Sequence, residues 1–205
     1  VKKGIFITLE GPDGSGKTTQ AMHLAEYFKK HGREVVVTRE PGGTPIAEKL
    51  RDMALDPNVP VCKTTESLLH LAARADHVDK VIQPALDAGK VVICDRFSDS
   101  TLVYQGVIGG MPLSELRHLN DFATQGLRPD LTLLLDGTPE EFLPRRDARG
   151  VSDKFEQEGL AFQRKIREGY LLLAREEPER IVLIHAAAPE EEVAREMVKK
   201  VEKFI

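Results

Sequence analysis

The segment Gly11-Pro12-Asp13-Gly14-Ser15-Gly16-Lys17-Thr18 constrains the fold more than any other stretch of the chain. Its outer glycines are separated by four residues, and Lys and Thr follow the second. An apolar run, Ile5-Phe6-Ile7-Thr8-Leu9, comes before it and reads as a buried strand. Ala21, Leu24, Ala25 and Phe28 recur after it at helical spacing. Strand, glycine-rich turn and helix in that order form the setting of a phosphate-binding loop. The glycines let backbone N–H groups turn inward toward phosphate oxygens, and the helix adds the positive end of its dipole. Lys17 is then placed to reach the β- and γ-phosphates of a nucleotide, and Thr18 to offer its hydroxyl to Mg2+.

The rest of the chain repeats the alternation of strand and helix. Short apolar runs over 4–9, 35–38, 91–94, 131–136 and 181–184 read as five strands. Helical stretches fall at 17–31, closed by Gly32, at 45–55, and at 65–88 with an interruption near Pro84. Another runs over 113–126 with Ser114 as its cap, and Thr138-Pro139-Glu140-Glu141 opens the next as a capping box. Phe155, Phe162, Ile166, Tyr170 and Leu173 stripe a long helix as core, and Pro189 opens the last. This pattern predicts an α/β fold, a five-stranded parallel sheet sandwiched by helices. The 205 residues suit one domain over 1–205, with a lid segment at about 144–155.

In an open parallel sheet, ligands bind at the carboxyl ends of the strands. Arg39-Glu40-Pro41-Gly42-Gly43-Thr44 follows the second strand and is expected on the same edge as the phosphate loop. Asp95-Arg96 ends the third strand. Its carboxylate is placed to hold a Mg2+-bound water and its cation suits a phosphate, although a purely structural pair is the other reading. Asp136 ends the fourth strand and ranks behind Asp95, because no basic residue flanks it in sequence. His70, Arg74 and His77 share a stripe of the 65–88 helix, with His77 expected on a solvated face. Residues 98–105 read as a polar segment ending in Tyr104-Gln105. Arg145-Arg146-Asp147-Ala148-Arg149-Gly150 is either an exposed charged turn or a lid that carries arginine to a transferring phosphoryl group.

The net charge of −4 leaves no excess of cations for a nucleic-acid polymer. Cys62 and Cys94 lack ligand spacing, so neither a metal site nor a disulfide is expected. No apolar run is long enough to span a bilayer, and no signal peptide precedes the first strand. A cytoplasmic protein without a membrane partner is expected.

The ordered set of phosphate loop, Arg39-Glu40-Pro41-Gly42-Gly43-Thr44, Ala72-Ala73-Arg74, Asp95-Arg96 with Ser100, Thr101, Tyr104 and Gln105, and the arginine-rich segment at Gly150 resembles bacterial thymidylate kinase. The resemblance runs nearly end to end. It implies the P-loop nucleoside monophosphate kinase fold and transfer of the γ-phosphoryl group of ATP to dTMP, with Mg2+, by a homodimer in dTTP biosynthesis. By the same resemblance Arg39, Arg51 and Arg96 bind the dTMP phosphate. Arg74 meets a thymine carbonyl with Thr101 and Gln105 nearby, and Tyr104 packs on the sugar. Asp13 accepts from the sugar 3′-hydroxyl, and Glu40 lines the same pocket. Gly14 occupies the position where some members carry the catalytic arginine, which points to the lid, Arg149 first and Arg145 second. Three positions depart from the pattern: His70 stands where the family stacks a phenylalanine on thymine, His185 where an acidic residue is frequent, and Pro144 falls in the helix before the lid, where it removes one hydrogen bond. The alternatives are another P-loop nucleotide or deoxynucleoside kinase, or, from a different class, a nucleotide switch, although the chain has no Asn-Lys-x-Asp motif.

Overall fold

The five apolar runs become the strands β1 (Ile5–Glu10), β2 (Val35–Arg39), β3 (Val91–Asp95), β4 (Leu131–Asp136) and β5 (Ile181–His185). They belong to a computed structural model that describes residues 3–147 and 159–205. Every pairing is parallel, and the strand order is β2-β3-β1-β4-β5. The inner strands β1, β3 and β4 are covered on both faces, which is why they read as unbroken apolar runs instead of alternating ones. The edge strands β2 and β5 are only partly covered.

Helices α1 (Lys17–Lys30) and α9 (Glu190–Val201) cover one face. There Ile5, Ile7 and Leu9 of β1 pack with Leu24, Phe28, Val193 and Met197. Phe6, the alternate side chain of β1, points to the other face and joins Val78, Ile82 and Phe97. On that second face Leu134 packs with Leu102, Leu116, Ile166 and Tyr170.

Local signals account for most helix boundaries. Thr44 caps α2 (Pro45–Leu55), its Oγ1 accepting from the Ala47 N–H at 3.0 Å. Helix α3 (Lys63–His77) runs through a wider π-helical turn at Val78–Ile82 into α4 (Gln83–Asp87). The stretch expected over 65–88 is thus continuous, and the widened turn takes up Pro84, whose ring and missing N–H do not fit an ordinary helical interior. The segment expected to be polar at 98–105 is helical: α5 (Ser98–Thr101) passes into a π-helical stretch, Leu102–Ile108. Leu102 and Val103 are buried there, because the wider turn carries them onto α8 (Leu160–Glu176). Helix α6 (Leu113–Thr124) starts from Pro112, so Ser114 lies inside the helix and does not cap it. Helix α7 (Pro139–Asp147) opens with the expected capping box: Glu141 Oε2 accepts from the Thr138 N–H at 2.7 Å, and Thr138 Oγ1 from the Glu141 N–H at 3.4 Å. Phe155 lies outside the described residues.

Candidate active site

The carboxyl ends of β1, β2 and β3 open into a cleft of about 560 Å3. At one end, residues 11–16 turn from β1 into α1. Gly11 must be glycine: a Cβ there would meet the Leu135 carbonyl oxygen at 2.5 Å. Gly16 precedes the helix with φ 89°, a left-handed backbone that glycine adopts without steric cost. Lys17 Nζ folds back across the loop and donates to the carbonyls of Gly11 (3.1 Å) and Pro12 (3.0 Å). Burial lowers its pKa to about 8, and Arg96 adds to the effect against the opposing charges of Asp95, Asp13 and Glu10.

Thr18 and Asp95 meet beside this loop, Oγ1 donating to Oδ2 at 2.8 Å. No group of three or more His, Cys, Asp or Glu among the described residues forms a metal cage. A hydroxyl and a carboxylate next to a phosphate site do fit Mg2+, which takes one or two protein oxygens and fills the rest of its shell from phosphate and water.

Arg39, Arg51 and Arg96 all line the same cleft. Arg39 Nη1 and Arg51 Nη1 both donate to the Pro41 carbonyl, at 3.0 and 2.9 Å, and Arg39 Nη2 spans the Glu48 carboxylate. Arg96 has φ 67°, a left-handed conformation that costs a non-glycine residue about 1–2 kcal/mol. Its Nη2 donates to Asp13 Oδ1 at 2.6 Å, and its guanidinium lies 5.4 Å from the Tyr104 ring centroid.

His70, Thr101, Tyr104, Gln105 and Glu40 line the cleft as well. Gln105 Nε2 donates to Glu66 Oε1 at 2.9 Å. Arg74 stands behind this wall, 4% exposed. Its Nε donates to Glu40 Oε2 (2.7 Å), its Nη1 to Thr101 Oγ1 (2.9 Å) and Asn120 Oδ1 (2.6 Å), and its Nη2 to the Phe97 carbonyl (3.0 Å). His77 does not lie on a solvated face. It is fully buried, with Nδ1 3.0 Å from Glu40 Oε1 and Nε2 2.7 Å from Thr38 Oγ1. The Arg39–Thr44 loop folds over α3 and covers it: a Cβ on Gly43 would sit 2.5 Å from the imidazole.

Arg145 reaches the cleft and donates from Nη1 to the Ala186 carbonyl at 3.0 Å. Arg149 lies outside the described residues. Asp136 does have a basic neighbour, supplied by tertiary structure: Arg167 of α8 donates to both its oxygens, at 2.7 and 3.0 Å.

Sequence reasoning missed Glu10. The last residue of β1, it is fully buried, with Oε1 accepting from the N–H groups of Phe97 (2.7 Å) and Ser100 (3.3 Å). Oε2 accepts from Ser100 Oγ (2.7 Å) and Tyr170 OH (2.8 Å). Burial first, then the charge of Asp99, pushes its pKa up to about 7 against Arg96 and these hydrogen bonds. The one available signal was a carboxylate ending an otherwise apolar run just before the phosphate loop.

The family model described as "Thymidylate kinase" matches residues 9–197. A thymidylate kinase of Pseudomonas fluorescens is 52% identical over 187 residues, which cover 91% of this chain and 89% of that one. A thymidylate kinase of Symbiobacterium thermophilum is 48% identical over 98% of this chain and 94% of its own length. The crystal structure of thymidylate kinase from Ehrlichia chaffeensis superposes with a TM-score of 0.77 at 35% identity, covering 97% of this chain and 99% of that one. This chain belongs to the thymidylate kinase family.

Proposed function

We infer that this chain is an ATP:dTMP phosphotransferase, converting dTMP to dTDP for dTTP biosynthesis. The observation that carries the reading is a single cleft lined both by Lys17 and Thr18 of a phosphate loop and by Arg39, Arg51 and Arg96. The loop suits the donor's phosphates. The guanidinium groups suit the monoester phosphate of an acceptor.

The transfer is in line, between groups held end to end, and needs positioning and charge neutralisation more than proton transfer. Backbone amides of residues 11–18 cradle the donor's phosphates. Lys17 leaves the carbonyls of Gly11 and Pro12 for the β- and γ-phosphates. Thr18 and Asp95 would hold Mg2+, which when bound neutralises charge on the phosphates. The three arginines orient the acceptor phosphate, and Asp13 takes the sugar 3′-hydroxyl. Tyr104 packs against the sugar and disfavours a ribose 2′-hydroxyl. Thr101, Gln105 and His70 line the base end with Arg74 behind them and Glu40 below. Residues 144–155 act as a lid that brings Arg149, or failing it Arg145, to the transferring group and excludes water.

The working form is a homodimer. Met53 of α2, Leu68 of α3 and Phe122 of α6 are exposed apolar side chains on successively packed helices, which supports pairing through that face. The compartment is the cytoplasm; two unbridged cysteines suit a reducing milieu, and no helix among the described residues is long and apolar enough to cross a membrane.

Coupled ADP-release assays with ATP and Mg2+ across dTMP, dUMP, dCMP, UMP and thymidine test the reading. dTMP should give the highest kcat/KM. Preference for thymidine would overturn it, because three guanidinium groups would then lack an anionic target.

A further inference from the structure

Arg96 is held from both of its ends by one buried carboxylate. At the backbone end, Glu10 Oε1 accepts from the N–H of Phe97, the very next residue, and from the N–H of Ser100. At the side-chain end, Arg96 Nη1 donates to Tyr170 OH at 2.9 Å and to Ser100 Oγ at 3.3 Å. Both hydroxyls in turn donate to Glu10 Oε2, at 2.8 and 2.7 Å. The two hydroxyls also lie 2.8 Å from each other, so with Glu10 Oε2 they close a hydrogen-bonded triangle, and each turns a lone pair toward the guanidinium. Arg96 is thus tied through Tyr170 and Ser100 to Glu10.

We propose that Glu10, Ser100 and Tyr170 form a positioning relay that sets the guanidinium of Arg96 for the acceptor phosphate. The proposal rests on the reading above that Arg96 binds that phosphate. Three observations carry it. Arg96 sits in a left-handed backbone, which other contacts must hold in place, and Glu10 supplies them. Tyr170 is 2% exposed within an apolar cluster of Leu102, Val103, Ile166 and Leu173, where a phenylalanine would fill the same space. Its hydroxyl is the one feature that packing does not require. Finally, the opposite guanidinium nitrogen, Nη2, is engaged by Asp13 of the phosphate loop at 2.6 Å. The relay counterbalances that carboxylate. Without it the guanidinium is free to turn fully onto Asp13, and an incoming phosphate must compete for it.

The consequence is specific to the phosphate. Tyr170→Phe should raise KM for dTMP about tenfold, which corresponds to ~1.4 kcal/mol and is typical of a lost hydrogen bond to a charged group. KM for ATP should stay within about twofold. By titration calorimetry the variant should bind dTMP about tenfold more weakly and thymidine, which lacks the phosphate, as the wild type does. Glu10→Gln should act in the same direction. The double variant should be less than additive, because both changes break one chain of contacts. Should Glu10→Gln fail to give a folded circular-dichroism spectrum, Ser100→Ala replaces it as the second probe.

Equal weakening of dTMP and thymidine would reduce Tyr170 to packing and overturn the relay. Unchanged dTMP binding in Tyr170→Phe, with Arg96→Ala strongly impaired, would overturn the relay and leave the acceptor reading standing. Unchanged dTMP binding in Arg96→Ala would remove the acceptor role of Arg96, and the relay with it.

Discussion

Thr18 Oγ1 donates a 2.8 Å hydrogen bond to Asp95 Oδ2, tying the first turn of α1 to the end of β3 across the neighbouring strand β1. Two hard oxygen donors therefore stand together beside the phosphate loop. Asp95→Asn keeps the shape of the side chain and removes its charge. At saturating ATP and Mg2+ its kcat should fall about 100-fold or more, on the scale of losing one electrostatic stabiliser in an active site. Steady-state rates across a Mg2+ titration check this. A rate near wild type would move the metal away from Asp95. Asp136 would not inherit the role, since Arg167 occupies both its oxygens.

Lys17 should make ATP binding fall with rising pH. Burial and Arg96 place its pKa at about 8, below the usual 10.5. Below about 8 the free protein carries the charge that the triphosphate needs. Above it the amine is neutral, and ATP must bring a proton with it. Affinity should therefore drop by up to ~10-fold per pH unit above about 8, with proton uptake on binding. Calorimetry in two buffers of different ionisation enthalpy measures that uptake. Its absence near pH 8.5, or a Lys17→Met variant with the same pH dependence, would refute the assignment.

Arg74 and Glu40 should matter to stability as well as to binding. The pair is buried at 2.7 Å, and Arg74 also serves Thr101, Asn120 and Phe97. Arg74→Ala leaves Glu40 buried with His77 as its remaining partner. Removing one member of a buried pair costs about 3–5 kcal/mol. For a domain of this size that should lower Tm by roughly 10 °C. Calorimetric or dichroic melting without nucleotide reads it directly. A Tm within a degree or two of wild type would show that Glu40 finds another partner.

These residues also mark where the sequence was legible and where it was not. The strands, the phosphate loop and the capping box at Thr138 are local patterns, and each appears where its residues predict. Arg39 and Arg96 follow from one rule, that ligands sit at strand carboxyl ends, whereas Arg51, inside α2, was reached only through the family resemblance. His77 escaped because its burial is decided by the Arg39–Thr44 loop folding over α3, which no helical periodicity records. Asp136 looked unflanked because Arg167 approaches from α8, far along the chain. Tyr170 fitted an apolar stripe, and nothing in that stripe announces that its hydroxyl meets a carboxylate 160 residues away. The π-helical stretch after α5 turned a segment read as polar into one that buries Leu102 and Val103.

The lid arginines should separate by kinetics. Arg149→Ala should lower kcat by about 1,000-fold or more with little effect on KM for dTMP, as expected of an arginine that meets charge only in the transition state. Arg145→Ala should cost far less, because Arg145 already bonds the Ala186 carbonyl at the cleft edge. Single-turnover rates with saturating ATP and dTMP make the comparison. The reverse order would transfer the catalytic role to Arg145.

Glu10 should set a pH dependence of folding stability with an unusual sign. Its pKa rises from 4.5 to about 7 on folding, burial being the largest cause and Asp99 the next. Between those two values the folded protein keeps a proton that the unfolded chain has released. Stability then falls as pH rises, because the folded state binds more protons than the unfolded one. The contribution is fully present below 4.5 and is lost as pH passes through about 7, a change of roughly 3 kcal/mol over the window. Glu10→Gln cannot ionise and lacks this slope. Urea unfolding at about pH 5, 6, 7 and 8 should show wild type losing stability relative to the Gln variant across the series. Parallel curves would mean that the four hydrogen bonds to the carboxylate outweigh its burial and keep it ionised throughout.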